Sequence, residues 1–250
     1  MYDIVIIGAG VIGLSIARSL GEKTNMSILI IEKEDSFGKG VSSRNSEVIH
    51  SGIYYEPNTL KAKLCTRGRD YLYEYCDQNK VWFNNCGKLV VSKLHQQTQI
   101  ESLYANAKKN GVDDIEIIDK SEISKLEPCI DSDIALKVNC TGIISAHDLM
   151  TSFYNKSKNF DHDYLFKSKV LGIQKNSDLY KIDIENYYGE IENLNCKWVI
   201  NAAGLDSDII GNLLGLTVPS LKFLKGSYFK LSSKWRGKFE HLVYPLPDKK

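Results

Sequence analysis

The chain has 250 residues, of which 43% are hydrophobic and 25% charged, and 32 Lys and Arg against 31 Asp and Glu leave a net charge of +1. This composition fits a soluble globular protein with a sizeable core and excludes a disordered chain, and its balanced charge offers nothing to drive sequence-independent binding to nucleic acid. No apolar run approaches the roughly 18–20 residues that span a bilayer. Because a strand-like run starts at Asp3, no leader peptide is expected, and a cytoplasmic location is expected, with peripheral contact to the inner membrane left open.

Asp3-Ile4-Val5-Ile6-Ile7 is rich in β-branched residues and predicts a strand buried on both faces, as in a parallel sheet. Gly8-Ala9-Gly10-Val11-Ile12-Gly13 follows at once, Leu14 to Leu20 has helical apolar spacing ending near Gly21, and Ser27 to Ile31 predicts a second buried strand. Together these form a βαβ unit. Phe37 to Ser46 reads as a loop. Asn58-Thr59 is placed to cap a helix over Leu60 to Asp77 whose apolar residues Leu60, Leu64, Tyr71, Leu72 and Tyr75 are expected in the core.

From Trp82 the texture changes. A strand is expected over Gly87 to Val91, a polar helix over Leu94 to Asn110, a strand at Ile115 to Ile118, a short helix at Ser121 to Leu126 stopped by Pro128, and a strand at Ile134 to Val138. His147 to Lys158 predicts another helix, Lys169 to Gln174 and Leu179 to Glu185 paired strands, and Lys197 to Ile200 a strand running into Asn201-Ala202-Ala203-Gly204, with Asp206 placed to cap a following helix. After Pro219 the chain is β-like through Tyr228 to Leu231 and Leu242 to Tyr244. The six cysteines contain no C-x-x-C pair, which argues against zinc, and are expected to be reduced thiols that mostly fill the core.

The G-x-G-x-x-G turn is a weak signal by itself, but here a strand precedes it, a helix follows it, and Glu32 stands nineteen residues beyond Gly13. Gly8 permits the tight turn, Gly10 lets backbone approach a diphosphate, and Gly13 lets the helix pack close to the strand. The helix N-terminus then offers N–H groups to the phosphates. Glu32, with Lys33 beside it at the end of the second strand, is suited to ribose hydroxyls, and a 2′-phosphate would be repelled there. The motif leaves FAD and NAD open; the polar stretch Ser42 to Tyr55 favours FAD.

The βαβ unit with Ser42-Ser43-Arg44-Asn45-Ser46 resembles the FAD-dependent oxidoreductases of the D-amino-acid oxidase superfamily, and within it the L-2-hydroxyglutarate dehydrogenases (oxidases). The matching stretches run from Asn45 to Tyr55, Leu60 to Cys65, Cys86 to Val91, Gly142 to Ser145, Lys225 to Phe229 and Leu242 to Asp248, in the family's order. Two positions depart from the family: Glu47 stands where Gly is usual, and Lys225 where Arg is common, a point charge in place of a bidentate fork.

The resemblance implies an α/β fold with a Rossmann-like FAD domain over 1–80 and 141–219, and an interleaved β-rich, glycine oxidase-like substrate domain over 81–140 and 220–250. It also implies that family members continue past Lys250, so that the substrate domain is partial. The implied reaction is oxidation of L-2-hydroxyglutarate to 2-oxoglutarate, with FAD taking a hydride from C2 and passing electrons to a quinone or oxygen. His50 is the candidate base. Tyr54, Tyr55 and Lys225 are candidates for the substrate, a small 2-hydroxy dicarboxylate. Ser42, Ser43, Arg44 and Asn45 are candidates for the FAD phosphates and ribityl chain, Val170 for the adenine, and Ala203-Gly204 for a second cofactor-facing turn. Oxidation of an amino acid, an amine or glycerol 3-phosphate remains open, as does an inactive fragment without flavin.

Overall fold

The structure is a computed structural model that describes residues 1–247. In chain order its strands are β1 (Tyr2–Ile7), β2 (Ile28–Ile31), β3 (Val48–Ile49), β4 (Phe83–Asn84), β5 (Lys88–Ser92), β6 (Ile115–Asp119), β7 (Ile134–Val138), β8 (Gly142–Ile144), β9 (Asp163–Leu165), β10 (Lys169–Asn176), β11 (Leu179–Glu185), β12 (Ile191–Asn201) and β13 (Leu242–Pro245). Its α-helices are α1 (Val11–Gly21), α2 (Leu60–Asn79), α3 (Gln97–Lys109), α4 (Lys120–Leu126), α5 (Ala146–Lys158) and α6 (Ser207–Leu213).

The chain divides into two compact units, Met1–Ser46 with Ala146–Lys225, and Glu47–Ser145 with Gly226–Lys250. The units divide after residues 46, 145 and 225, where the expected domains divide at 80, 140 and 219. The long helix α2 falls in the second unit, and the reason is local. Thr66 packs beneath Gly52, and the Tyr73 hydroxyl donates to the Cys140 carbonyl at 3.3 Å, so α2 is tied to the β3 and β8 segments. Residues of the expected 220–250 segment beyond Pro247, and Asp248 of the matching stretch, lie outside the described residues.

The first unit is built on a six-stranded sheet in the order β10-β11-β12-β1-β2-β9. β12, β1, β2 and β9 run parallel, and β10, β11 and β12 form an antiparallel meander. The parallel centre explains the sequence: β1 and β2 are covered on both faces, so Val5, Ile6, Ile30 and Ile31 are all fully buried. Val5, Ile7, Leu29 and Ile31 share a core with Val170, Ile182, Cys196 and Ile210.

The second unit carries a four-stranded sheet, β13-β5-β7-β6, and a three-stranded one, β3-β8-β4. Val90, Leu136 and Val138 pack with Ile53 and with Ile100 and Ala107 of α3, and the opposite face of the larger sheet buries Leu89, Ala135 and Ile118 against Ile123 of α4.

The expected elements are present except the strand at Tyr228 to Leu231, and the expected core face of α2 differs. Leu60, Leu64 and Tyr71 are exposed; α2 buries Ala62 and Cys76 instead, so these three do not serve the core. Tyr228 to Leu231 forms no strand, because among the described residues no strand pairs with it, and a β segment without a partner has no ladder to close. Of the six free thiols only Cys76 and Cys196 are buried, so most are not core filler.

Candidate functional site

In the first unit, the glycine turn joins the C-terminal end of β1 to α1. Gly8 has φ +105°, and a Cβ there would lie 2.4 Å from the Ala202 carbonyl oxygen; at Gly13 it would lie 1.9 Å from the Gly8 oxygen. Both glycines are therefore required by packing of the turn against β12 and α1. Gly10 differs. Its Cβ would meet only the Ser42 hydroxyl, at 3.0 Å, so the space above it is a cradle that a side chain would begin to fill.

The turn is clamped. Glu32 Oε2 accepts from the Ala9 N–H at 2.8 Å and Oε1 from the Glu34 N–H at 3.0 Å, and Ser42 Oγ accepts from the Val11 N–H at 2.9 Å. The next N–H groups of the helix, those of Ile12 and Gly13, meet no acceptor among the described residues.

Two adjoining cavities open along this turn. One, of about 240 Å³, is lined by Gly8, Glu32, Lys33, Ser168, Val170 and Ala203, among others. The other, of about 290 Å³, runs past Gly10, Glu32, Lys33, Ser42, Arg44 and Gly204. Gly8, Glu32, Lys33, Ala203 and Asp206 line both, so the pair reads as one extended cleft. Its apolar wall at Ile7, Ile31, Val170 and Ile210 and its glycine-turn end have the chemistry a dinucleotide asks for: a dry slot for a base, N–H groups for phosphates, and a carboxylate for ribose. The residues present therefore fit FAD.

The cleft gathers Gly8, Gly10, Glu32, Lys33, Ser42, Arg44, Val170, Ala203 and Gly204. Gly13 stands behind the turn. Ser43 and Asn45 brace the loop, with Ser43 Oγ donating to the Gly40 carbonyl and Asn45 Nδ2 to the Val41 and Ser42 carbonyls. Asp206, expected to cap the following helix, has a different role. Its side chain does not cap α6 but pairs with Lys33 in the cleft, which holds the Lys33 pKa above its ordinary value. Its position shortly after the small-residue turn at 202–204 was the available signal.

In the second unit, the loop carrying His50, Tyr54 and Tyr55 is fixed by backbone contacts. Gly52 has φ +92°, Asn106 Nδ2 donates to the Ile53 and Tyr55 carbonyls, and Asn110 Nδ2 donates to the Gly52 and Tyr55 carbonyls. Glu47 has φ +55°, a left-handed conformation that favours glycine, which is the residue usual there in the resembling family.

His50 is pushed below its ordinary pKa by the protein around it and then by the ammonium groups of Lys88 and Lys61. Burial, with Tyr244 nearby, pushes the Tyr54 hydroxyl up to about 12, and burial also raises Tyr55. Lys225, at the end of the first unit, is exposed on an irregular segment. Lys88, within the expected strand at Gly87 to Val91, is 1% exposed.

Residues 3–250 match the model of a family described as FAD dependent oxidoreductase, DAO. The chain belongs to the FAD dependent oxidoreductase family. It is 35% identical to the mitochondrial L-2-hydroxyglutarate dehydrogenase of Homo sapiens, over 99% of this chain and 56% of that protein. It is 34% identical to the mitochondrial L-2-hydroxyglutarate dehydrogenase of Dictyostelium discoideum, over 99% and 59%. The chain thus spans a little over half the length of these relatives.

Among solved structures, a dithionite-reduced L-α-glycerophosphate oxidase from Mycoplasma pneumoniae with FAD bound superposes with a TM-score of 0.84 at 22% identity, over 98% of this chain and 65% of that one. Glycine oxidase from Geobacillus kaustophilus superposes at 0.76 and 19% identity, over 86% and 59%. The fold is the one these oxidases share, an α/β arrangement with a Rossmann-like sheet. Among the described residues no helix is long and apolar enough to cross a membrane.

Proposed function

We propose that the chain carries the FAD-binding part and a share of the substrate-handling part of an enzyme that oxidises L-2-hydroxyglutarate to 2-oxoglutarate. The observation that carries the reading is the glycine-turn cleft with Glu32 at its centre; the substrate rests on the 35% identity to an L-2-hydroxyglutarate dehydrogenase. The expected domain roles then attach to the observed units, with cofactor binding in the first and substrate handling in the second.

In this reading the backbone N–H groups at the start of α1 hold the diphosphate, Glu32 takes ribose hydroxyls on its remaining lone pairs, and Val170 backs the adenine. Arg44 and Ser42 reach the phosphates or ribityl chain, while Ser43 and Asn45 keep their loop in shape. When bound, FAD supplies hydride acceptance at N5. His50 serves as the base for the C2 hydroxyl proton. Its lowered pKa keeps the imidazole neutral, and so able to accept a proton, at neutral pH. Tyr54, Tyr55 and Lys225 are the proposed hydroxyl and cationic partners of the substrate, and a quinone or oxygen is the proposed electron acceptor. A cytoplasmic location with contact at a membrane surface is the companion proposal; the relatives carry mitochondrial names.

Anaerobic bleaching tests the reading. The flavin-loaded protein should lose its yellow absorbance band with L-2-hydroxyglutarate and keep it with the D-enantiomer, glycine and glycerol 3-phosphate. Bleaching by an amino acid, an amine or glycerol 3-phosphate instead would move the substrate within the superfamily. Failure to hold flavin at all would favour an inactive fragment.

A further inference from the structure

Lys88 is the largest fully buried side chain among the described residues, 1% exposed, on the interior strand β5. Its backbone is paired on both sides, to Val138 of β7 and Leu242 of β13. It shares a sheet face with Val90, two residues on, which packs against Ile53. An apolar residue would satisfy that position. Instead the ammonium lies 4.2 Å from the centroid of the Tyr244 ring and 5.2 Å from that of Tyr54.

Among the described residues no carboxylate pairs with Lys88, and its ammonium makes no hydrogen bond. Its Nζ is nevertheless not among the unpartnered polar atoms sealed from solvent. Lys61 and His50 stand close enough that Lys88 and Lys61 both depress the His50 pKa, and neither Lys61 nor His50 has a carboxylate partner among the described residues. Burial pushes Lys88 itself down to about 8. Three basic side chains thus share one neighbourhood of the second unit, and among the described residues no anion balances them. A buried cation persists at such a cost when something other than folding requires it.

We propose that Lys88 is a substrate-binding residue whose ammonium anchors a carboxylate, with Tyr54 and Tyr244 as aromatic walls and His50 at the border of the site. The inference rests on the proposed dicarboxylate substrate and names the group that recognises one of its charged ends. Aromatic faces orient the ammonium, and the anion completes its coordination by charge-assisted hydrogen bonds in a largely dry setting. A compact ammonium on a pinned strand suits a single carboxylate oxygen.

Glutarate, a five-carbon dicarboxylate with no hydroxyl to oxidise, is the probe. Calorimetric titration of the flavin-loaded chain should give saturable binding of glutarate and much weaker binding of butyrate and inorganic phosphate. Lys88→Met should weaken glutarate at least tenfold with flavin content retained and no loss of thermal stability, and Lys88→Arg should recover part of that loss. Lys63→Met, on an exposed turn of α2, should leave it unchanged. In wild type, the ε-carbon resonance of Lys88 followed against pH should show its pKa rise on adding glutarate, a readout that does not depend on any variant folding.

Unchanged affinity in Lys88→Met, a Lys88 resonance indifferent to glutarate, no glutarate binding by wild type, or tighter binding of phosphate would each overturn the assignment. If glutarate needs Lys88 while L-2-hydroxyglutarate fails to bleach the flavin, the anion site stands and the substrate reading falls. If bleaching occurs and glutarate ignores Lys88, the reverse holds.

Discussion

Replacing Gly13 with alanine puts a methyl group 1.9 Å from the Gly8 carbonyl oxygen, where ordinary van der Waals contact begins at 3.4 Å. Both sides of that clash are backbone, so no rotamer relieves it. Either α1 lifts from β1, or the turn gives up the bonds that hold it: Gly8 N–H to the Ile31 carbonyl at 2.8 Å, Ala9 N–H to Glu32, and Leu14 N–H to the Gly10 carbonyl at 3.0 Å. Overpacking costs about 1–3 kcal/mol and one orphaned buried donor about 1–3 kcal/mol more. Gly13→Ala should therefore lose roughly 3 kcal/mol or more, a fall in Tm of about 6–12 °C for a chain of this size.

Gly10→Ala makes the contrast. Its methyl meets only the Ser42 hydroxyl, and the extended backbone at that position suits alanine. Stability should stay within about 1 kcal/mol of wild type. FAD affinity should nevertheless fall at least tenfold, because the methyl occupies the proposed diphosphate path. Calorimetric melts without FAD and fluorescence titrations with it separate the two effects. A Gly13→Ala protein as stable as wild type, or a Gly10→Ala protein destabilised to the same degree as Gly13→Ala, would refute this view of the turn.

Glu47→Gly should raise stability by about 1 kcal/mol in urea unfolding, since it removes a left-handed non-glycine residue; a loss would show that the Glu47 side chain contributes more than the conformation costs. Asn110→Ala removes the donors to the Gly52 and Tyr55 carbonyls and should cost about 1–3 kcal/mol, with exchange of the loop amides from 50 to 55 speeding up. Lys88→Met should stabilise the chain at pH 7 by about 2 kcal/mol, the relief of a buried charge less its aromatic contacts. The sign follows from the depressed pKa. The penalty is complete below about 8, where lysine is charged in both states, so the gain should fade as pH rises from there toward 10.5. Asp3 is held at about 2 by Lys197 and Ser27, so it stabilises the fold above the ordinary carboxylate value of 3.8 and loses that contribution as pH falls through 2. Asp3→Asn should flatten this part of the acid-stability profile.

The βαβ unit was legible because a parallel strand covered on both faces must be apolar throughout, and Asp3 to Ile7 and Ser27 to Ile31 announce that directly. The glycine turn was legible because its three glycines answer to two backbone clashes and one open cradle. The unit boundaries were not. α2 has a Thr59 cap and apolar residues at helical spacing, but it buries its small residues Ala62 and Cys76, and its ties to the rest of the unit run from Thr66 to Gly52 and from Tyr73 to Cys140, which spacing within the helix does not announce. Lys88 was hidden for a similar reason. A lysine between Gly87 and Leu89 reads as the outward residue of a half-exposed strand. Only β13, returning from the far end of the chain, makes β5 an interior strand and brings Tyr244 onto the ammonium. Asp206 was misplaced because a carboxylate before a helix suggests a cap, whereas the cleft supplies a cation that takes it.

The most direct test is an amide ¹⁵N–¹H correlation spectrum of the labelled chain as FAD is added. The Gly10, Val11, Ile12 and Gly13 resonances should move first and furthest, with Glu32, Val170 and Ala203 following along the cleft. A spectrum in which FAD leaves the glycine turn unmoved, while shifting residues elsewhere or none at all, would contradict the assignment of this cleft to the cofactor.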